Sequence, residues 1–429
     1  MSFPIYSDYK ESREAQWGHL PTHWDVLPIK RLAALRSGDS ITSEKIEIEG
    51  DYPVYGGNGL RGFTNAYTHE GHFALIGRQG ALCGNVNFAS GKFWASEHAV
   101  VVSPTKPLST RWIGEVLRSM NLNQYSVSAA QPGLSVEAVS NLRIPVPPFS
   151  EQKAIARFLA RETARIDALV EEQKRLIKLL KEKRQAVISQ AVTKGMGPNL
   201  QMKDSGVECL GKVPAHWEVT RLKFVANVQT GIAKGKDNTG KKIIEVPYLR
   251  VANVQDGYLD LDDVSIIEIP AEDLPRYRLE AGDVLMNEGG DFDKLGRGHV
   301  WAGSIDPCIH QNHVFAVRPF GISPGWLNTV TGSAYAQFYF MTRSKQSTNL
   351  ASISSTNIME LPVGIPHVDE QEQLLGWIES QTRAFDQLAR DADMNVSLLQ
   401  ERRSALISAA VTGKIDVRNR NQESEAMTA

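Results

Sequence analysis

Residues 151–193 read EQKAIARFLARETARIDALVEEQKRLIKLLKEKRQAVISQAVT, and this stretch decides the fold. It contains neither Gly nor Pro, and apolar residues recur alternately four and three positions apart, which is a heptad pattern. A helix of this length spans about 65 Å at 1.5 Å per residue. The stretch therefore predicts one long helix with a single apolar stripe.

The chain contains a second copy of this helix. RQAVISQAVT at 184–193 returns as RSALISAAVT at 403–412, a shift of 219 positions. Ser150 and Asp369 are candidate N-caps, and the glycines that follow the two copies, Gly195 and Gly413, are candidate helix ends. The apolar seam predicted in the two copies consists of Ile155, Leu159, Ile166, Leu169, Leu176, Leu180, Leu374, Ile378, Phe385, Leu388, Leu399 and Leu406.

One such helix cannot cover its own stripe, so we expect the two to pack on each other as an antiparallel coiled coil. A parallel pair would set Lys183 beside Arg402 in one seam, whereas an antiparallel pair brings Glu162 close to Arg402. The alternative is that each helix packs on its own domain. Residues 151–194 carry eleven Lys/Arg against six Asp/Glu, a surface that could face phosphates or simply water.

Upstream of each helix the chain repeats again. LPTHWDV at 20–26 matches VPAHWEV at 213–219, whereas the regions between the matches differ in sequence and length. These patterns predict an α+β chain with an internal pseudo-two-fold repeat, in which two variable globular domains are separated by two constant helices. The alternative explanation of the variable regions is neutral drift of surface loops in a duplicated protein. The predicted segments are a first module (1–148), a central helix (149–196), a second module (203–366), a C-terminal helix (369–414) and a polar tail (415–429).

The two modules hold short apolar runs separated by Gly- and Asn-rich turns, which indicates strand-rich domains with polar loops. Arg can pair with guanine, and Asn or Gln with adenine, so these side chains on glycine-flanked loops are candidate DNA readers, with lysines for the backbone. An ordinary turn or surface charge is the alternative for each of them. The candidates are Asn58, Arg61, Arg78, Gln79, Asn85, Lys234, Lys236, Lys241, Lys242, Arg250, Asn253, Asn287, Lys294, Arg297, Gln311 and Asn312.

Composition sets further bounds. The 429 residues suffice for two or three domains, and the net charge of −2 does not by itself indicate a polyanionic partner. No run of 18 apolar residues exists, and the first residues lack the apolar core of a signal peptide. Three scattered cysteines exclude a disulfide framework and fit the reducing cytoplasm.

Catalytic signatures are weak. Gly57–Gly62 fits GxGxxG, but no amphipathic helix follows it, and Val146-Pro147-Pro148-Phe149 lacks the acidic or amide first residue of a methyltransferase box. Cys308, His310 and His313 have no second pair of metal ligands, which favours a structural role. We therefore expect no catalytic residue, no metal and no bound cofactor.

The order of these motifs, twice in one chain, resembles the specificity subunits of type I restriction–modification enzymes. The resemblance is carried by KDSGVECLGKVPAHWEVTRLK (203–223) with its counterpart around His23-Trp24, and by VPPFSEQKAIARFL (146–159) with PHVDEQEQLLGWI (366–378). Cys209 departs from the pattern, since an aromatic residue is expected before Leu210-Gly211.

The resemblance implies a non-catalytic, sequence-specific DNA-binding subunit. Each module would be a target recognition domain that reads half of a bipartite sequence, and the helices would be the spacer. It also implies two methylation subunits that carry S-adenosylmethionine, and two motor–nuclease subunits that use ATP and Mg²⁺. A self-contained DNA methyltransferase or nuclease, and a coiled-coil scaffold that does not contact DNA, are the alternatives.

Overall fold

The structure is a computed structural model that describes residues 3–80, 82–126, 133–197, 199–235, 240–290, 292, 295–346 and 351–418. The chain divides into two compact units, unit 1 (Met1–Lys174 and Asp393–Ala429) and unit 2 (Arg175–Ala392). The long helices are thus shared between the units, whereas the sequence predicts them as segments of their own. The reason is that one part of each helix packs into the hydrophobic core of unit 1 and another part into the core of unit 2.

The chain is a mixture of strands and helices. The strands are β1 (Tyr9–Glu11), β2 (His19–Pro21), β3 (Asp25–Pro28), β4 (Ala33–Ser37), β5 (Tyr52–Gly56), β6 (Gly59–Thr64), β7 (His69–Gly77), β8 (Val86–Ala95), β9 (Ala99–Pro104), β10 (Arg143–Val146), β11 (Met202–Asp204), β12 (Lys212–Pro214), β13 (Glu218–Arg221), β14 (Ala226–Thr230), β15 (Ile243–Leu249), β16 (Ser265–Pro270), β17 (Val284–Asn287), β18 (Gly289–Gly290), β19 (Gly298–Val300), β20 (Ile309–His310), β21 (Val314–Pro319), β22 (Lys345–Gln346), β23 (Ala351–Ser352) and β24 (Pro362–Ile365). The α-helices are α1 (Thr110–Ser119), α2 (Val136–Asn141), α3 (Phe149–Lys194), α4 (Leu274–Tyr277), α5 (Pro324–Thr331), α6 (Ala334–Arg343), α7 (Ser355–Met359) and α8 (Val368–Val411).

Unit 1 is built on a six-stranded sheet in the order β4-β9-β7-β8-β5-β6. Strand β9 is buried from Ala99 to Val102, because β4 and β7 flank it and side chains pack on both of its faces. Helix α1 places Trp112 in the core, beside the first turns of α3. Two smaller antiparallel pairs, β1–β2 and β3–β10, complete the unit.

Unit 2 repeats these strand pairs. Strands β11–β12 correspond to β1–β2, β13–β24 to β3–β10, and β14–β21 to β4–β9, all antiparallel. The large sheet is divided, since β14-β21-β17-β19, β16-β15-β20 and β18-β23-β22 form separate sheets. The duplication in the sequence is thus a duplication of strand pairing.

A glutamate joins the histidine–tryptophan motif to the start of the long helix in each unit. In unit 1 the Glu151 carboxylate accepts from Trp24 Nε1 at 3.1 Å and lies 2.8 Å from His23 Nε2. In unit 2 Glu370 contacts Trp217 Nε1 at 3.1 Å and His216 Nε2 at 2.9 Å. We call this arrangement the HW–Glu clasp. It explains why these residue types recur in both halves.

The glutamine that follows each clasp glutamate is buried. Gln152 accepts from the Ser109 N–H at 3.0 Å and donates to the Pro147 carbonyl at 3.0 Å. Gln371 makes the same two bonds, with the Ser323 N–H at 2.9 Å and the Pro366 carbonyl at 3.0 Å. Since the two serines cap α1 and α5, each long helix is tied to the helix that packs on its sheet.

The long helices begin one residue before the predicted caps, at Phe149 and Val368. Ser150 and Asp369 therefore lie inside the first turn, and the prediction that they are N-caps is wrong. At the other end Gly195 and Gly413 both have φ of 71°, as predicted for glycines that follow a helix. Gly195 lies against Pro214 and Trp217, and Gly413 against Pro21 and Trp24.

The predicted seam is correct in part. Leu169, Leu176 and Leu388 are 45%, 40% and 50% exposed, so they are not seam residues of either unit. The buried or half-buried stripe of α3 is Ile155, Leu159, Thr163, Ile166, Val170, Gln173, Ile177, Leu180, Arg184 and Ile188, and that of α8 is Leu374, Ile378, Thr382, Phe385, Ala389, Ala392, Val396, Leu399, Arg403 and Ile407.

The physical reason lies in the helix period. A strict alternation of four and three advances 3.5 residues per step. The observed stripe covers the 33 residues from Ile155 to Ile188 in nine steps, or about 3.7 per step, which is close to the α-helical period of 3.6. Thr163 can occupy this stripe because its hydroxyl donates to the Leu159 carbonyl at 2.7 Å.

An ion pair joins α3 to α8 within each unit. Arg403 Nε donates to Asp167 at 2.8 Å in unit 1, and Arg184 lies 2.9 Å from Asp386 in unit 2. The two pairs are counterparts at the 219-residue shift. They replace the predicted approach of Glu162 to Arg402, because the stripe is displaced by one residue; Glu162 accepts from its neighbour Arg161 instead.

Within each unit the two helical segments run in opposite directions. In unit 1 Gly413, two residues after the end of α8, contacts Trp24, which bonds Glu151 at the start of α3. Ten residues before Gly413, Arg403 bonds Asp167, which lies 16 residues beyond Glu151. In unit 2 the same relation holds between Trp217, Glu370 and the Arg184–Asp386 pair.

The predicted polar tail at 415–429 needs correction over its first residues. Ile415 and Val417 are buried in the core of unit 1, and the Asp416 N–H donates to the Pro4 carbonyl at 2.8 Å. The alternation of apolar and polar residues in this segment allows one face to be buried. Residues 419–429 lie outside the described residues.

Candidate nucleic-acid interface

The candidate readers of unit 1 lie on neighbouring turns at one end of the six-stranded sheet. Asn58 is in the β5–β6 turn, and Arg78, Gln79 and Asn85 lie between β7 and β8. Asn85 Nδ2 donates to Asn58 Oδ1 at 3.2 Å, so the two turns are joined by their own candidate residues. The structure therefore brings together four of the five candidates, and Asn58, Gln79 and Asn85 are exposed.

Arg78 is the most firmly held of these residues. Its N–H donates to the His98 carbonyl at 2.9 Å, and its own carbonyl accepts from the Leu134 N–H at 2.9 Å. One guanidinium nitrogen donates to Ser37 Oγ at 3.1 Å, and the side chain is half-buried. The fifth candidate, Arg61, is exposed on β6, and its alkyl chain lies over Gly56, where a side chain would collide with it.

Two candidates in unit 2 are structural. Asn253 is 3% exposed; its amide donates to the carbonyls of Asp260 and Asp263, and its oxygen accepts from the Arg250 N–H. Asn287 is fully buried and donates to the Val254 carbonyl at 2.8 Å. The prediction that these two asparagines read bases is wrong, because distant backbone carbonyls have taken their donors.

The charged candidates of unit 2 are placed separately. Arg250 pairs with Asp263 at 2.9 Å and Lys241 with Glu272 at 3.0 Å, so each has a carboxylate partner. That glutamate raises the pKa of Lys241 through its hydrogen bond and its charge. Lys234 and Lys242 are exposed. Lys236 and Lys294 lie outside the described residues.

The remaining candidates of unit 2 are half-buried. Gln311 accepts from the Val251 N–H at 3.3 Å, and Asn312 lies 3.3 Å from His313 Nε2. Arg297 lies on the wall of a cavity of about 810 Å³ that Lys181 and Phe338 also line.

A second cavity in unit 2 contains residues that the sequence did not single out as readers. It has a volume of about 510 Å³ and is lined in part by Glu288, His313, Lys345 and Gln346. Glu288 Oε2 lies 2.6 Å from His313 Nδ1. The available signal was the match of His98-Ala99-Val100 to His313-Val314-Phe315, a shift of 215, which marks both histidines as equivalent positions.

The cysteine and histidines of the second module do not form a metal site. His310 is buried and its Nδ1 lies 2.8 Å from the Val314 carbonyl, while burial raises the pKa of the Cys308 thiol to about 12. Across the described residues, no three His, Cys, Asp or Glu side chains are grouped to hold a metal ion. A search of the same residues finds no helix with the length and hydropathy needed to span a membrane.

Comparisons with known proteins find a similar fold among solved structures and a family model that matches part of the chain. A chain from a solved structure described as "Structural basis underlying complex assembly and conformational transition of the type I R-M system" has a TM-score of 0.65 at 15% identity and covers 91% of this chain and 98% of its own. A family model described as "Type I restriction modification DNA specificity domain" matches residues 21–179.

Curated relatives agree with that family model. The type I restriction enzyme EcoprrI specificity subunit of Escherichia coli is 45% identical over 129 residues, which are 29% of this chain and 32% of that protein. The EcoKI specificity subunit of Escherichia coli strain K12 is 22% identical over 419 residues, 91% of this chain and 83% of that protein. The family model and these relatives confirm the resemblance to type I restriction–modification specificity subunits that the motifs carry.

The extent of these matches varies. The chain spans about a third to a half of the length of the first curated relatives it matches, 32% of the EcoprrI subunit and 47% of the MjaX subunit of Methanocaldococcus jannaschii. What the whole protein binds and assembles with is therefore a matter for proposal.

Proposed function

We propose that this chain is the non-catalytic DNA-reading subunit of a type I restriction–modification complex, acting in the cytoplasm. It reads a bipartite target, one half-site with each module, and the two long helices form an antiparallel coiled coil that sets the unread gap. The observation that carries the proposal is the duplicated scaffold with unlike loops, in a chain that resembles this family. Two frames that share their strand pairs but carry different readers suit two different half-sites.

The spacer role is supported by the contacts between α3 and α8. The segments run in opposite directions within each unit, and the Asp167–Arg403 and Arg184–Asp386 pairs are counterparts. We propose that this repeat relates the helix pair by an approximate two-fold axis. Two-fold symmetric proteins bind half-sites on duplex DNA that lie one helical turn, about 34 Å, apart. We propose that the helix pair fixes this spacing by its stiffness.

Base reading is proposed for the candidates that are exposed or half-buried. Asn58, Gln79 and Asn85 with Arg78 and Arg61 form the set in unit 1, and Gln311, Asn312 and Arg297 the set in unit 2. Lys234, Lys241 and Lys242 are assigned to the DNA backbone, and Arg250 remains a candidate base reader. Each bidentate base contact would discriminate by about 1–3 kcal/mol, and linking two modest readers raises the effective affinity of the second.

The partners are two methylation subunits, which carry S-adenosylmethionine, and two motor–nuclease subunits, which use ATP and Mg²⁺. Because the net charge of this chain is −2, we propose that the methylation subunits close around the duplex and supply much of the electrostatic attraction. If the isolated chain bound its target as tightly as the full complex at equal salt, this part of the proposal would fail.

The decisive experiment is methylome sequencing of a host that expresses the complex. We expect one modified motif made of two specified parts, separated by a gap of fixed length with no base preference. A continuous motif without a gap would contradict the spacer role. Methyl transfer by the isolated chain would instead identify a self-contained methyltransferase. An unchanged motif after replacement of both Arg61 and Arg297 by Ala would show that these two arginines do not read bases.

A further inference from the structure

Strand pairing identifies one position that the two modules share although the sequence hides it. Strand β9 corresponds to β21 at a shift of 215, and β7 and β17 pair with them in the same register: Gly77 faces Ala99 and Asn287 faces Val314. The next residues, Arg78 and Glu288, therefore occupy equivalent positions at a shift of 210. The shifts differ because the segments between the strands have different lengths.

The backbone at this position is held in the same way in both units. The Arg78 N–H donates to the His98 carbonyl and the Glu288 N–H to the His313 carbonyl, each at 2.9 Å. On the other side the Leu134 N–H donates to the Arg78 carbonyl and the Ile353 N–H to the Glu288 carbonyl, also at 2.9 Å. The following residues pair as well, Gln79 with Gly133 and Gly289 with Ser352.

A residue fixed on both sides by backbone hydrogen bonds can present its side chain from a rigid base, as a specific contact requires. In unit 1 that side chain is a guanidinium with one bond, to Ser37, and four further N–H donors. In unit 2 it is a carboxylate that lies at a cavity wall and is 30% exposed. The same frame thus presents only donors in one module and an acceptor in the other.

We propose that residues 78 and 288 are the same base-reading position of the two modules, and that their opposite chemistry makes the two half-sites differ. Arg78 contacts a G·C pair through the guanine N7 and O6 acceptors. Glu288 contacts a G·C pair through the cytosine N4 amino group, with His313 orienting the carboxylate. This inference rests on the proposed function and specifies the readout of its half-sites.

The test is a selection of bound duplexes from a random library by the complex of the full chain with its methylation subunit. We expect Arg78→Ala to lower the preference for a G·C pair at one position of one half-site by about 5- to 150-fold, the equivalent of one bidentate contact. Glu288→Ala should do the same in the other half-site. Glu288→Gln should shift that position to A·T, since an amide pairs with adenine.

Matched controls are Arg36→Ala and Glu245→Ala, which remove exposed charges from β4 and β15 and should leave every position unchanged. If the unmodified complex selects no divided motif, the proposed function fails. If it selects one and the Arg78 and Glu288 variants behave like the controls, this inference is overturned. A uniform loss of binding for all sequences in the Arg78 variant would also overturn it, because that result identifies a phosphate contact of this arginine.

Discussion

The HW–Glu clasp is built twice, and the two copies differ in how completely they are enclosed. In unit 1 the Glu151 side chain is 4% exposed and accepts a third bond, from the Tyr6 hydroxyl at 2.5 Å. In unit 2 Glu370 is 22% exposed and has only the His216 and Trp217 contacts among the described residues. Burial and the nearby carboxylate raise the pKa of Tyr6, which keeps its hydroxyl a donor.

The difference follows from how the chain enters each unit. In unit 1 the N-terminal residues and the segment after α8 lie side by side, as the Asp416–Pro4 bond shows, and Arg418 stacks on the Tyr6 ring. In unit 2 the corresponding stretch is the continuous link after Gly195. The same polar contact can therefore contribute a different free energy of stabilisation at two equivalent sites.

The largest expected effect comes from removing the clasp carboxylates. Glu151→Ala should lower the free energy of unfolding of unit 1 by about 3–5 kcal/mol, since the Tyr6 hydroxyl and Trp24 Nε1 stay buried without an acceptor. Glu370→Ala should lower that of unit 2 by about 1–2 kcal/mol. Hydrogen exchange in urea, followed by peptides from each unit, measures both. Glu171→Ala on the exposed face of α3 is the control. Equal losses at the two sites would contradict the comparison.

The second prediction concerns the corrected seam in unit 2. Leu180 is 7% exposed and Leu176 is 40% exposed, although the heptad pattern places both in the seam. Leu180→Ala should lower the free energy of unfolding by about 2–4 kcal/mol, and Leu176→Ala by about 1 kcal/mol or less. Urea unfolding of the two variants provides the measurement. Similar losses would restore the strict heptad and refute the shifted stripe.

The third prediction is that His310 makes the stability of unit 2 depend on pH, and that unit 1 has no such dependence from the equivalent position. His310 is fully buried, and its equivalent in unit 1, at the same parallel strand pairing, is Ala95. Burial lowers the pKa of His310, although bonds to Val314 and Gln311 and the charge of Asp283 oppose the shift. Below about pH 6.5 the unfolded chain therefore binds a proton that the folded chain does not, and stability falls as the pH falls.

The loss can reach about 1.4 kcal/mol per pH unit for one such group. His310→Ala should be less stable at pH 7.5, because it loses a packed and hydrogen-bonded ring, but should show a flatter decline towards pH 5.5. Urea midpoints of both proteins at several pH values give the difference. Burial also lowers the pKa values of His69 and His299. Both residues are present in the unmodified protein and in the His310→Ala variant, so their contributions cancel in the difference between the two pH profiles. Parallel pH profiles would contradict the prediction.

The smallest effect belongs to the ion pairs between the helices. Double-mutant cycles to Ala at Asp167–Arg403 and at Arg184–Asp386 should each give a coupling of about 0.2–1 kcal/mol, because the groups are partly exposed. Similar couplings would strengthen the equivalence of the two pairs. A coupling of opposite sign in one of them would show that the repeat does not extend to this contact.

Much of this architecture could be predicted from residue spacing. The 219-residue repeat, the two long helices and their terminal glycines depend on local backbone geometry, which spacing reports directly. The seam was predicted less accurately. A mean spacing of about 3.7 residues instead of about 3.5 moves every second residue of the buried stripe by one position along the helix. That displacement exchanged Leu169 for Val170 and Leu388 for Ala389.

The candidate readers were predicted by residue type, and here the sequence was a weaker guide. Asn58 and Asn253 both sit near turns, yet one is exposed and the other bonds three backbone groups. Glu288 was missed because acidic residues are not expected on a surface for a polyanion. No feature of the neighbouring sequence distinguishes an exposed candidate such as Asn58 from a buried one such as Asn253.

The sequence by itself therefore determined the duplication, the helices and the family resemblance, because periodicity and repeated motifs are properties of the chain. Only the tertiary structure decided which polar side chains are free to meet a ligand and that Arg78 and Glu288 share one position. Both depend on strand register and on backbone groups from distant parts of the chain, such as the Leu134 N–H that bonds Arg78 and the Ile353 N–H that bonds Glu288. Such contacts leave no local pattern in the sequence.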